Sequence, residues 1–345
     1  MRSNFFKASV LLASLAMATG CGGPPADDGG TDVTAGPDAA ADARADVRDA
    51  APDAAPQLFA SCAGNAMCTA TLGSRATCLT AFPGGICTKP CTSDTACGAS
   101  GVCLQQICFP RCTPGAGECN QFGSACAAGA NSAMDPSFGA CVPSCFGTGL
   151  TAPTGYPMCA APAMCDSYNG TCTAMAATGA DNGAACAADS DCMGGQCITE
   201  VGTSGPTGFL GGYCISFGRM PDPALYAVGQ PLPRGNCPTG SVALPAQGSQ
   251  GEGDSAVCLK GCSANGDCRT GYTCNKESNR PNMPFSTGIC LPVNCAMAAM
   301  ACPTGYMCQI VTTDAGVQDG TCIPATATDG GTDAATDAAT DGTTG

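Results

Sequence analysis

The side chains able to do chemistry here are mainly thiols and carboxylates. The 345-residue chain has 31 cysteines, 27 Asp+Glu, 13 Lys+Arg and no histidine. Without histidine there is no Ser-His-Asp or Cys-His nucleophile, no imidazole metal ligand and no histidine pH switch. Zinc ribbons and redox pairs use C-x2-C, and no two cysteines here have that spacing. Glu118, Glu200, Glu252 and Glu277 are scattered without a pairing pattern, and Lys260 and Lys276 stand beside no marked nucleophile. The chain is therefore read as not an enzyme, with no cofactor and no metal. Asp189-Ser190-Asp191 and the tail aspartates carry oxygen ligands that would suit calcium, but no D-x-D-x-D-G loop with a distal Glu frames them. A loop stapled on both sides is preorganised to fit a protease. Lys89-Pro90 between Cys87 and Cys91, or Arg269 after Cys268, would then be the primary specificity residue. A net charge of −14 opposes nucleic-acid binding, which rests on clustered cations meeting phosphates.

The cysteines read as a covalent scaffold. Aromatics make up 5% of the chain, too few for an ordinary core at this length. Crosslinks must take that role. Thirty cysteines lie in 59–322, an even number that closes as fifteen disulfides, with the pairing left open by spacing alone. Their gaps repeat. Cys87-x3-Cys91-x5-Cys97-x5-Cys103 recurs as Cys258-x3-Cys262-x5-Cys268-x5-Cys274, and these eight are the leading disulfide candidates. Looser copies start at Cys108, Cys141 and Cys290, each read as closing one unit and opening the next. A second level of duplication sets Cys62-x5-Cys68 and GGIC to Cys87 against Cys186-x5-Cys192 and GGYC to Cys214.

The fold class expected is small disulfide-rich modular repeats in series, with short β-hairpins and turns and little other regular structure. The boundaries read as a module at 59–179 and another at 180–323. The second carries a Pro- and Gly-rich insertion, 218–256, expected to be an exposed loop whose tip would be a contact surface. Asp94, Asp189, Asp191, Asn265 and Asp267 are expected to cap their own turns, and Gly101, Gly194 and Gly271 to supply positive-φ positions.

The ends are different in kind. Arg2 and Lys7 precede a short apolar stretch, 8–19, which reads with 1–20 as a signal peptide. Ala18-Thr19-Gly20-Cys21 resembles a bacterial lipobox, with Ala18 where the family usually has Leu. The resemblance implies Cys21 as the first mature residue, carrying a thioether-linked diacylglycerol with palmitate-type chains. Gly22 in place of Asp implies outer-membrane or surface sorting. Ala16-Met17-Ala18 also fits ordinary signal peptidase, which would leave a secreted or periplasmic protein. Residues 21–58 are Ala, Asp, Gly and Pro, with eight Asp against Arg44 and Arg48 in 22–58. Such a segment is expected to be a disordered tether spanning about 35 Å. The tail, 324–345, with Asp329, Asp333, Asp337 and Asp341, is expected to be disordered as well.

A lipobox, an Asp/Ala/Pro tether and serial GxxCxxDxxCxxGxC units together resemble cysteine-rich surface lipoproteins of myxobacterial type. The C-x5-C-x4-5-C core is also similar, one short unit at a time, to the Dickkopf N-terminal cysteine-rich domain. The resemblance implies a location more than an activity. The function expected is a lipid-anchored, disulfide-stapled surface protein with a structural, adhesion or partner-binding role. Its contacts would be the membrane through the anchor and a protein or glycan partner, without nucleic acid. The alternative is a secreted protease inhibitor-like scaffold, and after it a calcium-binding surface protein.

Overall fold

The computed structural model describes residues 57–147, 149–202, 205–276, 284–296, 301–312 and 318–325. The signal peptide, Cys21, almost all of the tether, Glu277 and the tail from 326 lie outside the described residues. Within them the chain makes eighteen strands of two to eight residues and one α-helix, Asn65–Leu72.

All thirty cysteines from Cys62 to Cys322 are paired, in fifteen disulfides. One rule covers fourteen of them. Seven sets of four consecutive cysteines join first to third and second to fourth. Cys91–Cys103 with Cys97–Cys108 is one such unit, and Cys262–Cys274 with Cys268–Cys290 is another. The others open at Cys62, Cys112, Cys145, Cys186 and Cys295.

In every unit the third and fourth cysteines face each other across an antiparallel pair, as Cys103 faces Cys108 and Cys274 faces Cys290. Directly opposed residues send their side chains to the same face of the ribbon. The preceding loop brings the first and second cysteines over that face. The two staples then fill the space that apolar side chains fill elsewhere, as in the buried cluster Cys112, Cys119, Cys126 and Cys141. A two-stranded hairpin alone is marginal in water, so each staple contributes what the small core cannot.

This pairing corrects the phase of the repeat. A cysteine makes one disulfide, so none can close one unit and open the next. Cys87 closes the first unit through Cys68, and the second runs from Cys91 to Cys108. The x3 gap is the linker between units. Cys258, matched to Cys87 by spacing, bonds to Cys237.

The segment 218–256 is an exposed loop only in part: 222–231 is mostly exposed, whereas the residues after it fold into the protein. Cys237–Cys258 has the separation of a second-to-fourth staple, 21 residues, and Ala243 faces Cys258 where a third cysteine would stand. The cluster of Met220, Cys237, Ala243, Ala256 and Cys258, with Tyr226 against it, occupies this interior. Residues 230–258 are thus an eighth unit with one staple replaced by apolar packing. Its strands, Ser241–Pro245 and Ser255–Cys262, enter a six-stranded sheet with Tyr213–Arg219, Gln196–Ile198, Gly288–Pro292 and Tyr272–Asn275.

The same segment carries a polar seam to the first half of the chain. Asp254 is fully buried, and its carboxylate accepts N–H bonds from Gly115 (3.0 Å to each oxygen), Gln250 (2.6 Å) and Gly251 (3.0 Å). The Asn236 amide donates to Ser144 O, Ser144 Oγ and Cys145 O. Arg219, 3% exposed, donates to Asn120 Oδ1 and lies 3.6 Å from the Glu252 carboxylate.

Of the three glycines expected at positive φ, Gly271 is there, at 84°. Gly101 and Gly194 are not. They are glycines for space: a Cβ at Gly101 would lie 2.7 Å from Cys97 Cβ, and one at Gly194 would strike Ile215 O and Ser216. The left-handed residue is the next one, Gly195, at 61°.

Candidate functional site

The cysteines do structural work. Sets such as Cys62, Cys68 and Cys78 bring three sulfurs within 4.8 Å, but each of these sulfurs is in a disulfide, whereas a metal takes a thiolate.

The loop carboxylates fall into two recurring clamps. Asn65, Asp94, Asp189 and Asn265 each stand three residues after the first cysteine of a unit. Their side-chain Oδ1 atoms accept the backbone N–H of the third cysteine, at 2.9, 2.7, 2.9 and 3.0 Å. Asp94, Asp189 and Asn265 therefore reach across to the hairpin and do not cap their own turns. The second clamp is local. Glu118, Asp191 and Asp267 each precede the second cysteine and accept N–H bonds from the start of the loop. Here Asp191 and Asp267 cap their turns as expected.

These bonds favour the ionised acid. The Ala187 and Ala188 amides hold the Asp191 carboxyl below the usual carboxylate range, and Ser263 and Ala264 do so at Asp267. Burial pushes the Asp94 carboxyl up, but the Cys103 N–H and Ser132 outweigh it, and the net direction is down. Asp189 and Asp191 are spent on separate backbone groups and do not converge as a pair of cation ligands.

Of the two basic residues singled out for protease contact, Lys89 is partly exposed beside the exposed Pro90, whereas Arg269 is engaged by its neighbours. Lys89 is half-buried, and its carbonyl accepts the Cys108 N–H. The Arg269 guanidinium donates to Gly212 O and to Tyr272 Oη (2.6 Å), and packs over the Tyr272 ring with its carbon 4.1 Å from the ring centre.

Arg269 belongs to a cluster that composition did not reveal. Tyr213 stacks on Tyr272 at 5.5 Å, and Phe209 lies 5.3 Å from Tyr213. Burial raises the Tyr213 phenol to about 12 and carries Tyr272 higher still. On its rim the Tyr306 phenol is bonded to the Glu200 carboxylate, which raises Tyr306 as well. Beside this cluster is an open depression of 530 Å³ lined by Ala185, Cys186, Ala187, Asp191, Thr199, Glu200 and Gly211. Glu200 Oε1 and Arg269 Nε are both buried without a hydrogen-bond partner.

No protein-family model, curated protein or solved structure matches the chain. What it could do must be argued from its own residues.

Asx residues three places after the first cysteine mark the hairpin clamp once the units are phased correctly. Nothing comparable marks Arg219, Asn236 or Asp254, which sit in a stretch whose Pro and Gly content reads as loop.

Proposed function

We propose that this chain is a lipid-anchored surface scaffold: Cys21 carries the lipid, the acidic segment after it spaces the stapled units from the membrane, and the units present contacts to a partner. A disulfide-rich protein of this kind belongs to an oxidising, extracellular-type environment, since cytosolic thiols are kept reduced. Among the described residues no helix is long and apolar enough to cross a membrane.

One observation carries the proposal. The fifteen disulfides account for every cysteine between 62 and 322, thirty of the 31 in the chain. The remaining one is Cys21, at the end of Ala18-Thr19-Gly20-Cys21. A leftover cysteine in an oxidising compartment is unusual unless it has another use, and thioether lipidation is such a use. The covalent scaffold and the net charge of −14 suit a soluble display body on the outer membrane or cell surface, without a catalytic role.

Intact mass of the mature protein tests this. The expected mass starts at Cys21 with added diacylglycerol, takes up no alkylating agent before reduction, and loses the lipid in Cys21→Ser. A mass starting at Thr19 overturns the anchor. Protease treatment of whole cells is expected to remove the protein; survival in intact cells with loss after lysis would put it in the periplasm.

A further inference from the structure

An Asn-Gly pair is where a chain can modify itself, because the glycine nitrogen, unhindered by a side chain, can reach the asparagine carboxamide. The sequence has three: Asn169-Gly170, Asn182-Gly183 and Asn265-Gly266. The fold disarms two of them. The Gly170 N–H donates to Asp166 O (2.8 Å), and the Asn169 amide donates to Asp166 Oδ2 and Met193 O. The Gly183 N–H donates to Cys214 O (2.8 Å), and the buried Asn182 gives its amide to Ser216 and Ser241. Asn265-Gly266 is the opposite case. Both residues are exposed, and among the described residues the Gly266 N–H donates to no acceptor. A methyl group placed on Gly266 would meet nothing within 4 Å. The Asn265 Oδ1 accepts the Thr273 hydroxyl (2.9 Å) and the Cys274 N–H (3.0 Å).

We infer that Asn265 is a site of self-deamidation. The Gly266 nitrogen loses its proton to water and attacks Asn265 Cγ, forming a C–N bond and a negative oxygen at Oδ1. Thr273 and Cys274 already aim two donors at that oxygen, so the charge is stabilised where it develops. The intermediate expels the side-chain nitrogen as ammonia and leaves a cyclic imide. Water opening the imide at Cγ gives aspartate and a new negative charge; opening at the main-chain carbonyl gives isoaspartate. The only co-reactant is water, and nothing is oxidised or reduced. Aspartate suits the position, because Asp94 and Asp189 accept the same third-cysteine N–H in their own units. Asn65 is a built-in control. Thr77 and Cys78 donate to its Oδ1 at 3.0 and 2.9 Å, but the residue after it is Ala66, inside the α-helix.

This inference does not depend on the anchor. The test ages the oxidised full chain in detergent at mildly alkaline pH. Its peptides, digested in acid, are then mapped by mass and by enzymatic methylation of isoaspartate. Conversion is expected at Asn265, about tenfold ahead of Asn65, Asn169 and Asn182. Thr273→Val, which removes one of the two donors to Oδ1, should slow Asn265 about threefold. Asn169 and Asn182 should stay slow in that variant, which marks an intact fold. In the reduced, unfolded chain the three Asn-Gly pairs should convert at similar rates, since only the fold separates them. An Asn265 that stays intact, or converts no faster than Asn169 and Asn182 in the oxidised chain, would overturn the inference. So would a Thr273→Val protein with an unchanged rate at Asn265.

Discussion

Gly115 and Asp254 stand 139 residues apart, yet the Gly115 amide lies 3.0 Å from both oxygens of the buried Asp254 carboxylate. Every disulfide is local, closing 11 to 22 residues, so noncovalent contacts of this kind must join distant units. Removing the carboxylate takes the acceptor from three part-buried amides, those of Gly115, Gln250 and Gly251. Asp254→Ala is expected to destabilise the oxidised protein by about 3 kcal/mol, and Asp254→Asn by less, since an amide still accepts. Urea unfolding under oxidising conditions measures this, and an unchanged midpoint would show that the seam contributes nothing.

Adjacent glycines should differ sharply. Gly84 and Gly85 both have positive φ, at 77° and 64°. A methyl group at Gly84 would meet nothing within 4 Å, whereas one at Gly85 would strike Cys62 O and crowd both sulfurs of the Cys62–Cys78 staple. Gly84→Ala is expected to cost about 1 kcal/mol for backbone strain alone. Gly85→Ala should leave two thiols open to alkylation. Gly212→Ala, which meets Cys186 O in the same way, should open the Cys186–Cys197 staple.

All six tyrosines are displaced upward. Tyr168 is raised to about 12, by burial and then by the hydrogen bond from its phenol to Asp181; Tyr213 also lies at about 12. Tyr156, Tyr226 and Tyr272 are pushed higher by burial, and Tyr306 is raised by Glu200. An ultraviolet titration should show little tyrosinate at pH 10, where a free phenol is half ionised. Because the folded values are raised, the stability they contribute is present below about pH 10 and is lost as pH climbs through the folded values. Reduced, unfolded protein should titrate normally. Half-ionisation near pH 10 in the oxidised protein would refute the packing around Tyr213 and Tyr272.

The acid limb runs the other way. Asp94, Asp191 and Asp267 have lowered folded values, so their contribution is complete above the ordinary carboxylate value of 3.8 and fades as pH falls below it. Stability measured from pH 5 downward should fall, and the slope should flatten in Asp191→Asn/Asp267→Asn. An identical slope in that variant would remove the local clamp from the account.

Reduction should unfold the chain. Each staple contributes typically about 2–4 kcal/mol by restricting the unfolded ensemble, and the apolar cores are small. Circular dichroism with and without reductant decides this, and a spectrum indifferent to reductant would contradict a covalent scaffold.

Cysteine spacing made the class of fold legible, because only a stapled chain can be built from so many thiols and so few aromatics. The phase of the repeat was not legible. Cys87-x3-Cys91 and Cys258-x3-Cys262 are identical in spacing, but the x3 gap is a linker, and only the cross-strand register of Cys103 with Cys108 or Cys274 with Cys290 shows where a unit ends. The eighth unit was hidden because Ala243 stands in a cysteine's place. Glu200, 106 residues before Tyr306, carried no mark at all, since tertiary packing alone brings the two together.

The short reach of the crosslinks sets an order of events. Among the described residues no disulfide spans more than 22 residues, so each pair can close as soon as its own hairpin has formed, before the downstream chain is in place. Oxidation can thus proceed from the first unit to the last like a zip fastener. The hazard lies within each unit: the third and fourth cysteines are direct neighbours across the ribbon, and bonding to each other would trap the hairpin without its loop. A thiol–disulfide isomerase is the helper such a chain would call on.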